Sequence, residues 1–354
     1  MPSRVFALAA LAALVTASPA PAQPRPLRVL LLYDMEGVSG ATSPKHTFFG
    51  TPEYAEARKS LTADVNAAII GLKAAGAADI LVVDGHGSGN TSGPDVLEDQ
   101  LLPPARMISR EAPFDIYMDS YDHSIDAIVA IAMHAGAGNR LGFISHTYTI
   151  EDIDYRINGV PCNETMILAQ GAARLKIPVI MTSGDDQLEK ELRRNLPWVR
   201  HAAVKHAVDR SQAEPLPREE ASRRIERAAR EALEQLAAAR LPEPSAPYRF
   251  ALTFQDSEQA RTAALLPGAE LLPSSSTVQI RTHDFEEGYR LSLRLISLAG
   301  LAGRATAVQA VLPVQPNAAA LRGAIRDWLT DRWLKPQPAE PSAPPAKPRY
   351  WGAQ

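Results

Sequence analysis

The chain has 354 residues, an apolar content of 45% and a nearly balanced formal net charge of −3. This length allows one large domain or two modest ones, and the composition excludes a collagen-like or wholly disordered chain. The charge balance lacks the basic excess typical of nucleic-acid binding, so a short peptide or another small molecule is the expected partner.

The first 22 residues have the features of a signal peptide. Arg4 supplies a positive charge, residues 5–15 are apolar, and residues 20–22 offer small side chains for cleavage before Gln23. The apolar run is too short for a membrane span, which takes ~20 residues. We therefore predict an exported protein, periplasmic or secreted, with no stable membrane insertion after cleavage. An uncleaved anchor or a mistaken start codon is the alternative.

Apolar runs of strand length recur along the chain, and polar residues and glycine follow each run. Residues 27–33 form the first run, and similar runs cover residues 80–83, 127–133 and 177–181. Runs without alternation are typical of strands buried on both faces of a parallel sheet. Apolar periodicity predicts helices that alternate with these strands, over residues 53–75, 165–173 and 217–240. The predicted fold class is α/β, with a mostly parallel sheet flanked by helices.

The last third of the chain predicts a smaller C-terminal α/β lobe. Two strand patterns cover residues 248–254 and 277–282, and a helical pattern follows over residues 285–298. Residues 335–354 are rich in proline and predict an exposed tail.

Asp34 and Glu36 place two carboxylates directly after the first strand. Residues two apart in an extended segment point the same way, so both carboxylates can face one site. Neighbouring carboxylates repel each other when ionised, and a divalent cation is the usual means of holding both. An ordinary loop pair that makes turn hydrogen bonds is the alternative for these two residues taken alone.

His86 and His134 follow two further strands, and the carboxyl ends of parallel strands meet at one edge of the sheet. Glu164 adds another acid directly before a helical segment. Carboxylate and imidazole ligands suit zinc better than manganese or cobalt. Five ligands exceed the needs of one tetrahedral zinc ion, so the set predicts two metals that share a carboxylate.

Other candidate residues leave alternatives open. His146 is either a proton shuttle, a donor to a developing oxyanion, or a surface histidine. Asp185 and Asp186 are either partners of the ligating histidines or helix caps. The lone Cys162 is expected to be a small buried residue. The glycine-rich segment 85–89 lacks the last glycine and the lysine that nucleotide-binding loops require.

Nine short motifs occur in order between Leu27 and Leu301. The first is Tyr33-Asp34-Met35-Glu36-Gly37-Val38-Ser39-Gly40. The others are Val83-Asp84-Gly85-His86, Met133-His134-Ala135, Ser145-His146-Thr147, Asn158-Gly159 leading to Glu164, Ser183-Gly184-Asp185-Asp186, Ala203-Val204-Lys205, Leu266-Pro267-Gly268 and Thr277-Val278-Gln279. Together they resemble the signature of the zinc D-aminopeptidases of the dipeptide-transport-operon type.

This resemblance implies an α/β subunit with a two-zinc site, assembled into a ring-like homo-oligomer, a decamer in the family. It implies that His146 is the catalytic histidine. The expected activity is release of the N-terminal residue of short peptides, including peptides that contain D-alanine, by a hydroxide that two Zn²⁺ ions activate. The implied metal ligands are Asp34, Glu36, His86, His134 and Glu164.

This sequence departs from the family pattern in its signal peptide, in the segment after Gly303 and in its tail. Two other functions remain open: another exported metal-dependent amidohydrolase on the same fold, or a non-catalytic solute-binding protein. The latter has no need for acids and histidines gathered at strand ends. The expected divisions are a signal peptide (1–22), a metallo-aminopeptidase domain (27–301), a C-terminal extension (302–334) and a proline-rich tail (335–354).

Overall fold

The computed structural model describes residues 25–335 and 349–352. The predicted signal peptide lies outside these residues, as does most of the tail. The strands, in chain order, are β1 (Leu27–Tyr33), β2 (Ala77–Asp84), β3 (Ala105–Met107), β4 (Ala127–Met133), β5 (Asp152–Ile157), β6 (Val160–Pro161), β7 (Val179–Asp185), β8 (Arg200–Ala207), β9 (Ala213–Pro215), β10 (Tyr248–Phe254), β11 (Glu270–Leu271) and β12 (Thr277–Thr282). The helices are α1 (Pro52–Ala74), α2 (Glu164–Ala173), α3 (Asp186–Asn195), α4 (Arg218–Glu234), α5 (Ser257–Ala263), α6 (Phe285–Val311) and α7 (Ala318–Leu334).

The larger sheet has the strand order β3-β2-β1-β4-β7-β8-β9, and only the β8–β9 pair is antiparallel. From Val29 to Tyr33, β1 is buried and apolar because both of its faces are covered, whereas Leu27 and Arg28 at its start are half-buried. Leu31 and its alternate neighbours pack towards α1 and α4, whereas Leu30 and Leu32 pack towards α2 and the second sheet. The prediction of a mostly parallel sheet flanked by helices is confirmed.

The second sheet has the order β11-β12-β10-β5-β6, all antiparallel, and α5 and α6 pack against it. This is the predicted smaller lobe, but it is not purely C-terminal, because β5 and β6 come from the middle of the chain. Tyr155 of β5 and Phe250 of β10 share one hydrophobic core with Leu30 of the large sheet. The two sheets are therefore joined by a continuous apolar interior.

Several elements differ from the patterns seen in the sequence. α6 was expected to end at residue 298 but runs to Val311, and α4 ends at Glu234 rather than at residue 240. The segment 285–314 is the one stretch of the described chain that is long and apolar enough to cross a membrane by composition. The first half of α6 packs on the second sheet, and Tyr289 and Leu295 are buried there. The expected boundary at residue 301 lies within this helix.

The described part of the tail pairs with the large sheet instead of lying exposed. The amide and carbonyl of Tyr350 each pair with Arg110 at 2.8 Å, and the Asp84 amide donates to the Trp351 carbonyl at 3.2 Å. Gly352 lies buried against the end of β2, where a Cβ atom would come within 1.6 Å of the Asp84 carbonyl oxygen. Free backbone groups beside β2, together with a glycine at this point, explain why residues 349–352 dock here.

Candidate metal centre

Three adjacent strands of the large sheet end at one site. Asp34 directly follows β1, His86 lies two residues after β2, and His134 directly follows β4. Glu164 opens α2 and is buried against the same edge, and His146 approaches it from the loop after β4. The expected convergence of these residues on the carboxyl edge of the sheet is what the structure shows.

The side chains form two groups of three, each with candidate ligand atoms within 4.8 Å of one another. In the first group, His86 Nε2 lies 3.3 Å from Glu36 Oε1. In the second, His134 Nε2 lies 3.5 Å from Glu164 Oε1, and His146 stacks on His134 with ring centroids 4.1 Å apart. Asp34 belongs to the first group, yet its Oδ2 lies 3.2 Å from His134 Nε2. Asp34 therefore links the two groups.

Each of the three histidines is held through Nδ1, which leaves Nε2 aimed at carboxylates. The Nδ1 atom of His86 donates to Asp95 Oδ2 at 2.7 Å, and those of His134 and His146 donate to backbone carbonyls at 2.9 and 2.8 Å. The buried Nε2 of His134 makes no hydrogen bond. In this tautomer, lone pairs of nitrogen and oxygen face one another, an arrangement that a cation between them satisfies. The donor set therefore fits divalent metal ions.

The electrostatics of the metal-free site show how strongly these groups interact. Burial raises the pKa of Asp34 well above its usual range, and the charge on Glu36 raises it further. Burial also opposes ionisation of Glu36 and Glu164, but the neighbouring histidines outweigh it. The pKa of Glu36 is held well below its usual range, and that of Glu164 falls to about 2. Ions that bind here must therefore displace protons from the histidines.

His146 differs from the other two histidines in its environment. Burial and the adjacent His134 lower the pKa of His146, whereas nearby carboxylates raise those of His86 and His134 well above the usual value. Its side chain is 17% exposed, against 9% for His86 and 1% for His134. His146 is thus the neutral, accessible imidazole of the site.

Asp95 orients His86, and sequence reasoning missed it. Besides His86, its carboxylate accepts hydrogen bonds from Ser88 Oγ at 2.8 Å and from the hydroxyl of Tyr54. Its backbone amide donates to Asp84 Oδ2 at 2.7 Å, and the pKa of Asp84 rises to about 7 through burial and the charge on Asp95. Asp95 lies in a loop, nine residues beyond His86, without a periodic pattern that could reveal it.

Glu164 has partners of its own on the other side of the site. The Tyr148 amide donates to Glu164 Oε1 at 2.7 Å, and the hydroxyl of Tyr117 donates to Oε2. Tyr148 has a φ of 64°, a strained conformation for a bulky residue. Strain of this kind is retained only where the surrounding contacts hold the backbone in place, which is common at functional sites. Tyr117 was also absent from the sequence-based candidates.

The backbone that follows the first two acids is held from both sides. The Gly37 amide donates to the Ala132 carbonyl at 2.7 Å, and a Cβ atom at Gly37 would lie only 2.1 Å from the Met133 carbonyl oxygen. Buried Lys205 donates to the carbonyls of Glu36 and Ala41 at 2.7 and 2.8 Å, and burial lowers its pKa to about 7. Lys205, which belongs to the motif Ala203-Val204-Lys205, thus stabilises the loop between Glu36 and Ala41.

Asp185 and Asp186 do not contact the site histidines, so the idea that they support ligands is wrong. Asp185 caps α3 by accepting from the amides of the next turn, and its other oxygen accepts from the Phe143 amide at 2.9 Å. Asp186 pairs with His206 at 3.1 Å. Cys162 is buried, as expected, and burial raises its pKa to about 12.

A cavity of about 260 Å³ opens onto the two groups. Its walls include Asp34, His86, His146 and Glu164, and it also contains the carboxylate of Asp115. Aromatic rings form much of the remainder, from Phe114, Tyr117, Tyr148 and Tyr289. A larger cavity of about 640 Å³ lies elsewhere, beside Ile180, Trp198 and Ala239, and contains none of the six predicted site residues. The smaller cavity is therefore the candidate active site.

Comparison with known proteins shows what this chain and its fold resemble. The family model described as D-aminopeptidase matches residues 27–293. A D-aminopeptidase from Bacillus subtilis (strain 168) is 29% identical over 275 residues, which cover 77% of this chain and 98% of that protein. The solved structure of the Zn-dependent D-aminopeptidase DppA from Bacillus subtilis, a self-compartmentalizing protease, aligns with a TM-score of 0.71 and 27% identity, covering 77% of this chain and 98% of that chain. The chain belongs to the D-aminopeptidase family.

Proposed function

We propose that this protein is a zinc-dependent aminopeptidase that releases the N-terminal residue of short peptides, including those that begin with D-alanine. The observation that carries this proposal is the pair of acid and histidine groups linked by Asp34. The family membership and the zinc dependence of the solved relative support it.

The geometry supports a site for two metal ions. Glu36 and His86 would hold one ion, His134 and Glu164 the other, and Asp34 would bridge them, since its carboxylate reaches both groups. Bound zinc supplies Lewis acidity and makes a water molecule nucleophilic at neutral pH. Burial of the ligands excludes bulk water, which strengthens every electrostatic contact within the site.

His146 is proposed as the catalytic histidine. Because its Nδ1 donates to the Ile144 carbonyl, its Nε2 carries a lone pair that points into the cavity. Its lowered pKa keeps the ring neutral at neutral pH, as a general base requires. His146 accepts a proton from the water molecule that attacks the scissile carbonyl and forms the new C–O bond, and it returns that proton to the leaving amine as the C–N bond breaks.

The cavity accounts for a short substrate with a free amino terminus. Its volume suits one or two residues, and its aromatic walls offer apolar contact to a small side chain. The Asp115 carboxylate accepts from the Tyr289 hydroxyl and from the Tyr117 amide, at 2.8 and 2.9 Å, which fixes it at the cavity wall. We propose that this carboxylate pairs with the α-ammonium group of the peptide.

Export and assembly extend the proposal. The features of residues 1–22 support export, which would bring the enzyme to peptides released from the cell wall, many of which contain D-alanine. The self-compartmentalizing character of the solved relative supports a homo-oligomer here, and we propose a ring, with a decamer as the expected size.

The test is product analysis by mass spectrometry on a library of D- and L-aminoacyl peptides, with and without added zinc, alongside metal content by elemental analysis. Glu36→Ala and His86→Ala should abolish amino-acid release and lower the zinc content. Exposed Glu56 and His123, changed to alanine, are the matched controls. Full activity in Glu36→Ala or His86→Ala would disprove the proposal. Zinc binding with no amino acid released from any peptide would indicate an amidohydrolase of another specificity.

A further inference from the structure

We define residues 304–335 as the C-terminal helical projection. It comprises the end of α6, the connecting residues 312–317, all of α7 and Lys335. It lies beyond the part of the chain that matches the family, which ends at residue 293. Within the projection, Ala318 alone is buried. Large apolar side chains of the projection are more than half exposed, on both helices and on the segment between them. They are Val308, Val311, Val314, Trp328, Leu329, Trp333 and Leu334. A surface of this kind marks an interaction site.

α7 concentrates this apolar surface on one side. Leu321, Ile325, Trp328 and Leu329 follow the i, i+4, i+7, i+8 spacing of a single helical face, and Asp327 lies outside it. The two tryptophans of α7 are 59% and 78% exposed. Exposed tryptophan on an amphipathic helix is typical of helices that lie at the boundary between lipid headgroups and acyl chains.

The charge of the projection is opposite to that of the whole chain. Residues 304–335 contain five basic and two acidic residues, a net charge of +3, whereas the whole chain has −3. Arg322 and Arg326 lie beside the apolar face of α7, and Arg332 lies within it, where its guanidinium is 5.0 Å from the centre of the Trp328 ring. Basic residues beside an apolar face complement anionic headgroups.

The structure favours a helix pair that lies on a membrane over one that crosses it. The first half of α6 is held against the second sheet by Tyr289, Leu295 and Ala299, all of which are buried. Only residues 304–314 of the apolar segment lie beyond these contacts, and at 1.5 Å per residue they span roughly 17 Å, less than the ~30 Å hydrocarbon core.

We propose that the C-terminal helical projection docks this protein onto the surface of an anionic phospholipid membrane. Trp328, Trp333 and Leu329 enter the headgroup region, and the arginines of α7 contact lipid phosphates. Docking through this projection leaves the catalytic cavity unchanged, so it is independent of the proposed peptidase activity.

The experiment uses the full chain and co-sedimentation with vesicles of phosphatidylcholine alone or mixed with phosphatidylglycerol. We expect binding to the anionic vesicles only, weakened by salt, with a blue shift of tryptophan fluorescence. Trp328→Ser with Trp333→Ser, and separately Arg322→Glu with Arg326→Glu, should each reduce partitioning by about tenfold. Leu265→Ser and Arg281→Glu change exposed positions elsewhere and should bind as the unmodified protein does.

Peptidase activity in solution should be the same for all these variants. Equal vesicle binding by the projection variants and the controls would overturn the proposal. It would also be overturned if the unmodified protein failed to bind vesicles while the tryptophan variants lowered the oligomeric mass measured by light scattering. That second result would show that the projection is a contact between copies of this chain.

Discussion

Changing Asp95 to asparagine tests whether the site depends on the residue that orients His86. Asp95 is 1% exposed, and its carboxylate accepts from His86 Nδ1 at 2.7 Å. Asparagine keeps the shape and one acceptor oxygen but removes the negative charge. The imidazole then becomes a weaker ligand, and its orientation is held less firmly.

The expected loss follows from the contact that is weakened. Partners that hold a ligating histidine typically contribute 10–100-fold to metal affinity, or about 1.4–2.7 kcal/mol. The buried, charge-assisted geometry of the Asp95–His86 contact places the expected effect in the upper half of that range. Asp95→Asn should also lower the pKa of Asp84 below its present value of about 7, because the charge on Asp95 helps to raise it.

The assay is competition for zinc between the protein and a chelator, followed at constant pH. Asp79→Asn is the matched control, because Asp79 lies at the other end of β2 and pairs only with arginines at the surface. Zinc affinity equal to that of the unmodified protein, in a folded Asp95→Asn variant, would refute the role assigned to Asp95.

Two further substitutions test the folding of the site. Burial raises the pKa of Asp64 to about 6, while its oxygens accept from the amide and hydroxyl of Ser39 at 2.8 Å each. The native state therefore holds this proton more tightly than the unfolded state, and the contribution of Asp64 to the free energy of unfolding falls by about 2 kcal/mol as pH rises from 4 to 7. Asp64→Asn should remove that slope in denaturant titrations, and an unchanged slope would contradict ionisation of Asp64. Gly37→Ala should lower the melting temperature and the zinc content, because its Cβ would meet the Met133 carbonyl, whereas Gly93→Ala has open space and should change neither.

The parts of the fold that could be predicted are those whose residues are determined by local burial. β4 and all of β1 after Arg28 are covered on both faces, so these residues are apolar, and the bounds of both strands match the sequence pattern. β5 and β8 were not predicted because each has one polar face, with charged residues or histidines interrupting the run. α3 was also missed, since most of its residues are charged or polar and few are buried.

The same distinction decides which residues of the candidate site could be predicted. Asp34, Glu36, His86 and His134 could be predicted because each lies within three residues of the end of an apolar strand, and the ends of parallel strands converge whatever path the loops take. Asp95 could not, because its contact with His86 depends on the path of a loop that no periodic pattern describes. Tyr117 reaches Glu164 from a similar loop. The contacts of such loop residues can be recognised only in the folded structure, where the loop brings them to the ligands.

The docked end of the tail affects how this protein can be handled. Gly352 lies against the last residue of β2, two positions before His86, so a substitution at Gly352 acts close to a candidate metal ligand. The described chain begins at Arg25, beside Asp126 and the amino ends of β1 and β4, on the opposite edge of the sheet. An affinity tag or a surface linker placed at Arg25 therefore lies at the edge of the sheet opposite the candidate metal centre.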